Sequence, residues 1–385
     1  MNKSGFQLSG FIALGSGVLL GVFLILGVKS ILRYAVPSPP QGVGAYYYPW
    51  YSLERWKRDR EVMGRPLLGP YESDDLKTIE IHIDWARDSG INYFIYSWLG
   101  SDEGMYEMER YYSNRLINVA SQKNFKLMPL YETALALFQS PDRIDFDASY
   151  SGTVATGDRF VEDMLFYAEN SAANESTYTQ GNCPAVALYL VRNFINHRKY
   201  FKALSDSLSA RGLCLNLVAD LVFWGSPDRP FQYNDGDYER QWKWISENFS
   251  AIFGYNYYTD DDAIYPGGKD FSTRYLSAKK KAQELWSRRA ARFGLHYVFS
   301  VQPGYDDRPL RGLDRPYIEA SSGFYLRDWK RVFSAKHKGC SVHITSFNEW
   351  YEGTAIEPVI GVGESLLDAT RSMIGKFNML NDCSP

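Results

Sequence analysis

From Gly42 to the C-terminus the chain alternates short apolar runs with longer stretches of helical periodicity, eight times over. The apolar runs cover residues 42–49, 91–98, 125–131, 185–191, 213–220, 251–256, 295–301 and 341–347. In the first helical stretch Leu76, Ile79, Ile83 and Ala86 fall on one face, and Gly90 sits just past its end. Further helical stretches cover 106–120, 159–169, 194–210, 238–248, 273–293, 326–336 and 364–380. Eight strands, each followed by a helix, predict an α/β fold: a (β/α)8 TIM barrel spanning residues 42–385. A doubly wound open sheet is the alternative. It needs fewer strands and a Gly-rich first turn, and no such turn follows residues 42–49.

Ahead of the barrel, residues 1–7 form a short tail, and residues 8–28 contain no charged side chain. A helix of that length spans roughly 30 Å of hydrocarbon, so the reading is a transmembrane anchor. A secretory signal is the competing reading, but Lys29, Arg33 and Tyr34 follow directly and no Ala-x-Ala cleavage site appears. Pro37, Pro39 and Pro40 make residues 29–41 a stiff spacer. Orientation is weakly set, because Lys3 is balanced by Lys29 and Arg33. The expected location is therefore single-pass membrane, with the barrel extracytoplasmic or lumenal. A net charge of −3 gives no reason to expect a nucleic-acid partner, and the oligomeric state is not legible.

In a barrel of this kind the active site lies on the face where the strands end. Polar and aromatic residues gather there: Tyr48, Trp50 and Tyr51 after the first strand, Ser97 and Trp98 after the second, Tyr131 and Glu132 after the third. Asp220 follows the fifth, Tyr255 and Asn256 the sixth, Gln302 the seventh, and Asn348, Glu349, Trp350 and Glu352 the eighth. The chain is rich in aromatics, at 16%, and aromatic faces stack on sugar rings as readily as they build cores. Glycosidic cleavage needs a proton for the leaving oxygen and a second group for the charge developing at the anomeric carbon, which two carboxylates in different environments supply. Glu349 and Glu352 can both point into one cleft, with Asn348 bonding a hydroxyl and Trp350 stacking. By spacing alone, a solvated loop with one Glu capping a helix fits the pair equally.

The segment VHITSFNEWYEGTAIEP resembles the C-terminal signature of glycoside hydrolase family 99, the endo-α-mannosidases and endo-α-mannanases, and its wider relatives. AYYYPWY is similar to that family's first-strand motif, and GPYESDDLKTIEIHIDWARDSGINYFIYSW to its next block; the likeness runs from about Gly42 to Pro358. It implies that Glu349 acts as base on the sugar's own 2-hydroxyl, giving a 1,2-anhydro sugar, and that Glu352 is the general acid/base, with the raised pKa. It also implies substrate contacts from Tyr46, Tyr48, Trp50, Trp98, Glu132, Tyr255, Asn348 and Trp350. The pattern departs from the family at Leu99, where an aromatic is usual, around Glu132, and over residues 140–181.

The five histidines show no metal-ligand spacing, so neither metal nor cofactor is expected; His82 reads as a helix-surface residue. Asp260, Asp261 and Asp262 read as a solvated loop rather than the metal site of a sugar-nucleotide transferase. Cys183 and Cys214 open neighbouring strands, and Cys340 and Cys383 meet at the same end. Disulfides Cys183–Cys214 and Cys340–Cys383 are predicted, with ordinary buried thiols as the alternative. The expected partner is an oligosaccharide or polysaccharide, cleaved by an endo-acting α-glycoside hydrolase. A transferase of polysaccharide biosynthesis and a non-catalytic glycan binder are the rivals.

Overall fold

The computed structural model describes residues 41–59, 64–102, 107–171, 174–223, 225–233, 236–257, 270–311, 315–335 and 341–380. Nine parallel strand segments form the barrel wall: β1 (Gly42–Tyr47), β2 (Tyr93–Trp98), β3 (Lys126–Tyr131), β4 (Cys183–Leu188), β5 (Asn216–Asp220), β6 (Ala251–Phe253), β7 (His296–Tyr297), β8 (Phe299–Val301) and β9 (Ser341–Ile344). Neighbours along the hydrogen-bonded ladder run β7-β6-β5-β4-β3-β2-β1-β9-β8. β7 and β8 are two pieces of one barrel strand, so the chain itself joins the two ends of the ladder. At the break, Val298 still donates its N–H to the Ile252 carbonyl at 2.9 Å. The predicted seventh strand is thus interrupted where it pairs first with β6 and then with β9.

The strands sort their side chains with period two, as a wall buried on both faces must. Val43, Ala45 and Tyr47 of β1 join the outer core against the helices, while Tyr46 packs inside with Tyr93, Ile95, Met128, Ala187, Val218, Ala251 and Phe253. Gly44 makes room in this interior: a Cβ there would lie 2.3 Å from the Tyr93 ring. His343 is wholly buried among these groups, 3.1 Å from both the Tyr46 and Tyr93 hydroxyls. Burial pushes its pKa down to about 3, so the interior holds a neutral imidazole.

The surrounding helices follow their sequence signals. Helix α1 (Leu53–Arg58) is capped by Ser52, and α2 (Leu76–Asp88) by Asp75, whose carboxylate accepts the Thr78 N–H. Of the α2 face predicted from Leu76, Ile79, Ile83 and Ala86, the last three are buried, while Leu76 in the first turn is exposed. His82 shares that face and is fully buried, which corrects the expectation of a surface position: its Nδ1 meets the Tyr47 hydroxyl at 3.1 Å and its Nε2 the Glu357 carboxylate at 3.2 Å. The fourth strand ends earlier than predicted, because Leu190 takes a left-handed φ of +59° and starts a 3-10 turn over Val191–Asn193. Residues 140–155, where no element was expected, hold a Ser149–Ser151/Val154–Ala155 hairpin and the strand Ile144–Asp145, which pairs with Phe194–Ile195; the helix expected from residue 194 starts at Arg198 instead.

The Cys183–Cys214 bridge is present, with Cα atoms 5.4 Å apart. Cys340 and Cys383, the aspartates 260–262 and the apolar run 8–28 lie outside the described residues. Among the described residues no helix is long and apolar enough to cross a membrane.

Candidate active site

A cleft of about 590 Å³ opens at the C-terminal ends of the strands, lined among others by Tyr48, Trp50, Glu132, Tyr189, Tyr255, Glu349, Tyr351 and Glu352. The segment after β9 brings the two glutamates there. Its turn is fixed from within: Ser346 Oγ accepts the Glu349 N–H at 2.7 Å, and the Thr354 N–H donates to the Glu349 carbonyl at 3.2 Å. Gly353 turns at φ +61°, and the Asp306 N–H donates to the Glu352 carbonyl at 2.8 Å. Asn348 clamps the turn to β1, its Oδ1 accepting the Tyr48 N–H at 2.7 Å and its Nδ2 donating to the Tyr48 carbonyl at 3.1 Å.

Behind the turn lies a closed polar network. Trp350 Nε1 donates to Glu357 Oε2 at 3.1 Å, and the Tyr71 hydroxyl donates to the same oxygen at 2.9 Å. Glu357 and His82 are both wholly buried there. Satisfied polar groups of this kind hold one arrangement, because breaking any member strands its partner away from water. The indole between the two cleft glutamates is thereby anchored into the barrel wall.

In the cleft itself, Tyr48 OH donates to Tyr255 OH at 2.6 Å, and Tyr255 OH donates to Glu352 Oε2 at 3.4 Å. Glu349 Oε1 accepts the Tyr351 N–H at 2.9 Å. None of Glu132, Glu349 and Glu352 has a salt-bridge partner among the described residues. Burial pushes Glu349 well above the usual carboxylate range, and the Glu352 charge adds to this. Burial also raises Glu352 to about 7, although Arg311 opposes it, and raises Glu132 to about 8 against a hydrogen bond from Ser97. The expectation of a single raised carboxylate is therefore replaced by three. Glu349 and Glu352 titrate as a pair, since ionising one raises the other.

The sequence-predicted residues divide. Glu349, Glu352, Glu132, Tyr48, Trp50 and Tyr255 come together on the cleft wall. Tyr46 sits in the barrel interior, bonded to His343, and Asn348 is the backbone clamp. Trp350 is buried on Glu357, against Trp56 at 6.2 Å. Trp98 packs on Tyr131 and Tyr167 and lines a separate narrow slot with Leu99 and Trp50. These four are not among the residues lining the cleft. Sequence reasoning missed Tyr189, Tyr351, Arg55, Arg58, Asp59, Leu130 and Leu310, which are. Tyr189 follows directly after β4, so the strand-end rule reaches it. Arg55, Arg58 and Asp59 belong to α1 and its end, where nothing in the local pattern marks a cleft.

No family model matches the chain. Its barrel resembles those of solved glycoside hydrolases. The likeness runs in particular to a family 99 endo-α-mannosidase from Bacteroides thetaiotaomicron, with a TM-score of 0.64 at 15% identity over 89% of this chain and 99% of that one. The same enzyme's complex with bis-tris propane gives 0.62 at 17% identity, covering 90% and 100%. A glycoside hydrolase-like protein gives 0.64 at 18%, covering 88% and 94%. Among curated proteins, the uncharacterised WxcX of Xanthomonas campestris pv. campestris is 35% identical over 112 residues, which is 27% of this chain and 16% of that protein. At these identities the structural likeness is one of fold.

Proposed function

We propose that this chain is an endo-acting α-glycoside hydrolase on mannose-containing glycans, retaining through a 1,2-anhydro sugar. The observation that carries this reading is the meeting of Glu349 and Glu352 in one cleft, with Tyr48, Trp50, Tyr189 and Tyr255 on its walls. In the first step ionised Glu349 takes the proton of the 2-hydroxyl, O2 attacks the anomeric carbon, and the bond to the leaving oxygen breaks as protonated Glu352 supplies its proton. In the second step Glu352, now a carboxylate, takes a proton from water, whose oxygen opens the three-membered ring. O2 recovers its proton from Glu349, and both residues are reset. Two inversions at one carbon give net retention.

The raised titration of both glutamates supports a proton shared in the cleft; burial raises Glu349 further than Glu352, so the division of labour rests on the resemblance of the motif and not on these shifts. Near neutrality two buried carboxylates with like charge hold one proton between them, and the first step requires that it sit on Glu352. The Tyr351 N–H on Glu349 and the Tyr255 hydroxyl on Glu352 give the two groups different partners. Residues 8–28 supply the proposed membrane anchor, and the Cys183–Cys214 bridge supports an oxidising, extracytoplasmic compartment. Incubation of the protein with α-linked manno-oligosaccharides tests the reading: a new reducing end without a nucleotide donor supports hydrolysis, and elongated products without hydrolysis point to a transferase.

A further inference from the structure

Asp220 is a carboxylate for which the proposed chemistry has no use. It ends β5 with no exposed surface, and both of its oxygens are engaged. Oδ1 accepts the Tyr255 N–H at 3.1 Å. Oδ2 accepts the Leu190 N–H at 3.1 Å and the Arg192 guanidinium at 3.2 Å. Leu190 follows β4 and Tyr255 follows β6, so one side chain ties together the ends of three adjacent strands. Both tied segments carry cleft walls. Tyr189 precedes Leu190, and its ring meets the Tyr255 ring edge to face at 5.5 Å. The far side of the Tyr255 residue is held as well, by Thr345 Oγ1 donating to its carbonyl at 2.9 Å.

We infer that Asp220 is a positioning residue: by holding the Tyr255 and Leu190 backbones it sets the Tyr255 hydroxyl against Glu352. Its consequence for catalysis rests on the hydrolase reading above; the tie itself does not.

The surrounding charges make this separable from a general effect. Arg192 offsets Asp220, while Tyr46, Glu132, Tyr189 and Tyr257 feel its negative charge. Glu352 responds to Glu349, Glu132, Asp307, Arg311, Tyr255 and Tyr305. Loss of the Tyr255 hydrogen bond raises the Glu352 titration, because that bond favours the ionised form. Direct loss of a nearby negative charge lowers it. The two routes have opposite signs.

The test is a ¹³C NMR titration of glutamate carboxyls in the full-length protein, with Glu352→Gln and Glu132→Gln assigning the signals. Asp220→Ala is expected to move Glu352 upward by about 0.5 pH unit, as far as Tyr255→Phe does, and the double variant no further. Asp220→Asn keeps an acceptor for the Tyr255 N–H. It should leave Glu352 near its wild-type midpoint while Glu132 falls. If Asp220→Ala does not fold, Asp220→Ser carries the same expectation, since its shorter hydroxyl cannot reach both amides. A downward or unchanged Glu352 titration in the Ala or Ser variant, or additive shifts in the double, overturns the inference. This readout stands even if the wild-type protein hydrolyses no glycan. If it does hydrolyse one, the Ala variant should lose about tenfold in kcat with little change in KM.

Discussion

Glu349 and Glu357 lie eight residues apart on one segment, both are buried, and they live in opposite company. Glu357 is met by the His82 imidazole, the Tyr71 hydroxyl and the Trp350 indole. Asp328 is another such case: wholly buried on the helix Ser322–Ser334, it sits against the Lys279 side chain at 2.8 Å, the Gln302 N–H at 2.9 Å and Arg331. Glu349 instead faces Glu352 and Glu132 across a cleft, with no basic partner among the described residues. A buried charge is costly unless partnered, so the first arrangement holds the barrel together and the second works against it. Buried carboxylates without a counter-charge persist where chemistry uses them.

The contrast is sharpest in activity. Glu349→Gln and Glu352→Gln should each reduce hydrolysis by at least about 10³-fold while the far-UV spectrum is unchanged. Next in size, Asp328→Asn should leave turnover nearly intact but cost about 3 kcal/mol of stability, because Lys279 and Arg331 lose their counter-charge. Urea denaturation measures it, and an inactive but fully stable variant breaks the comparison.

Glu132→Gln should do the reverse and stabilise the fold. The Glu132 pKa is raised to about 8, so the folded state favours its protonated form. Its contribution is intact below the unfolded value near 4.5 and is lost as pH rises through 8. The variant should thus match wild type at pH 4 and exceed it by about 2 kcal/mol at pH 6. The smallest effect is in the pH–rate profile, whose acidic limb should lie clearly above the ordinary glutamate value because burial raises both members of the pair. A limb at the ordinary value would mean that the cleft is wetter and more cationic than described.

The barrel was legible because its strands are buried on both faces and its helices on one, so hydrophobic periodicity reports each directly. The break at Val298 and the left-handed Leu190 were not, since neither alters that periodicity. Around the site, strand-end position located Glu132, Tyr48, Tyr255 and the two motif glutamates. It could not distinguish a side chain that lines the cleft from one that supports it. Asn348 and Trp350 sit beside lining residues in sequence and Tyr46 two residues before one, yet Tyr46 points into the barrel, Asn348 onto the β1 backbone and Trp350 onto Glu357. His82 was misread because its partner Glu357 is 275 residues away. Arg55 and Arg58 reach the cleft through a connection whose path no local pattern sets.

The most direct measurement follows an α-mannoside oligosaccharide by ¹H NMR during digestion by the protein, beside the matching 2-deoxy substrate. The account predicts an α-configured reducing end released first from the parent glycan and none from the 2-deoxy compound. A β-configured first product, or cleavage of the 2-deoxy substrate at a comparable rate, would contradict the assignment of Glu349 to the 2-hydroxyl.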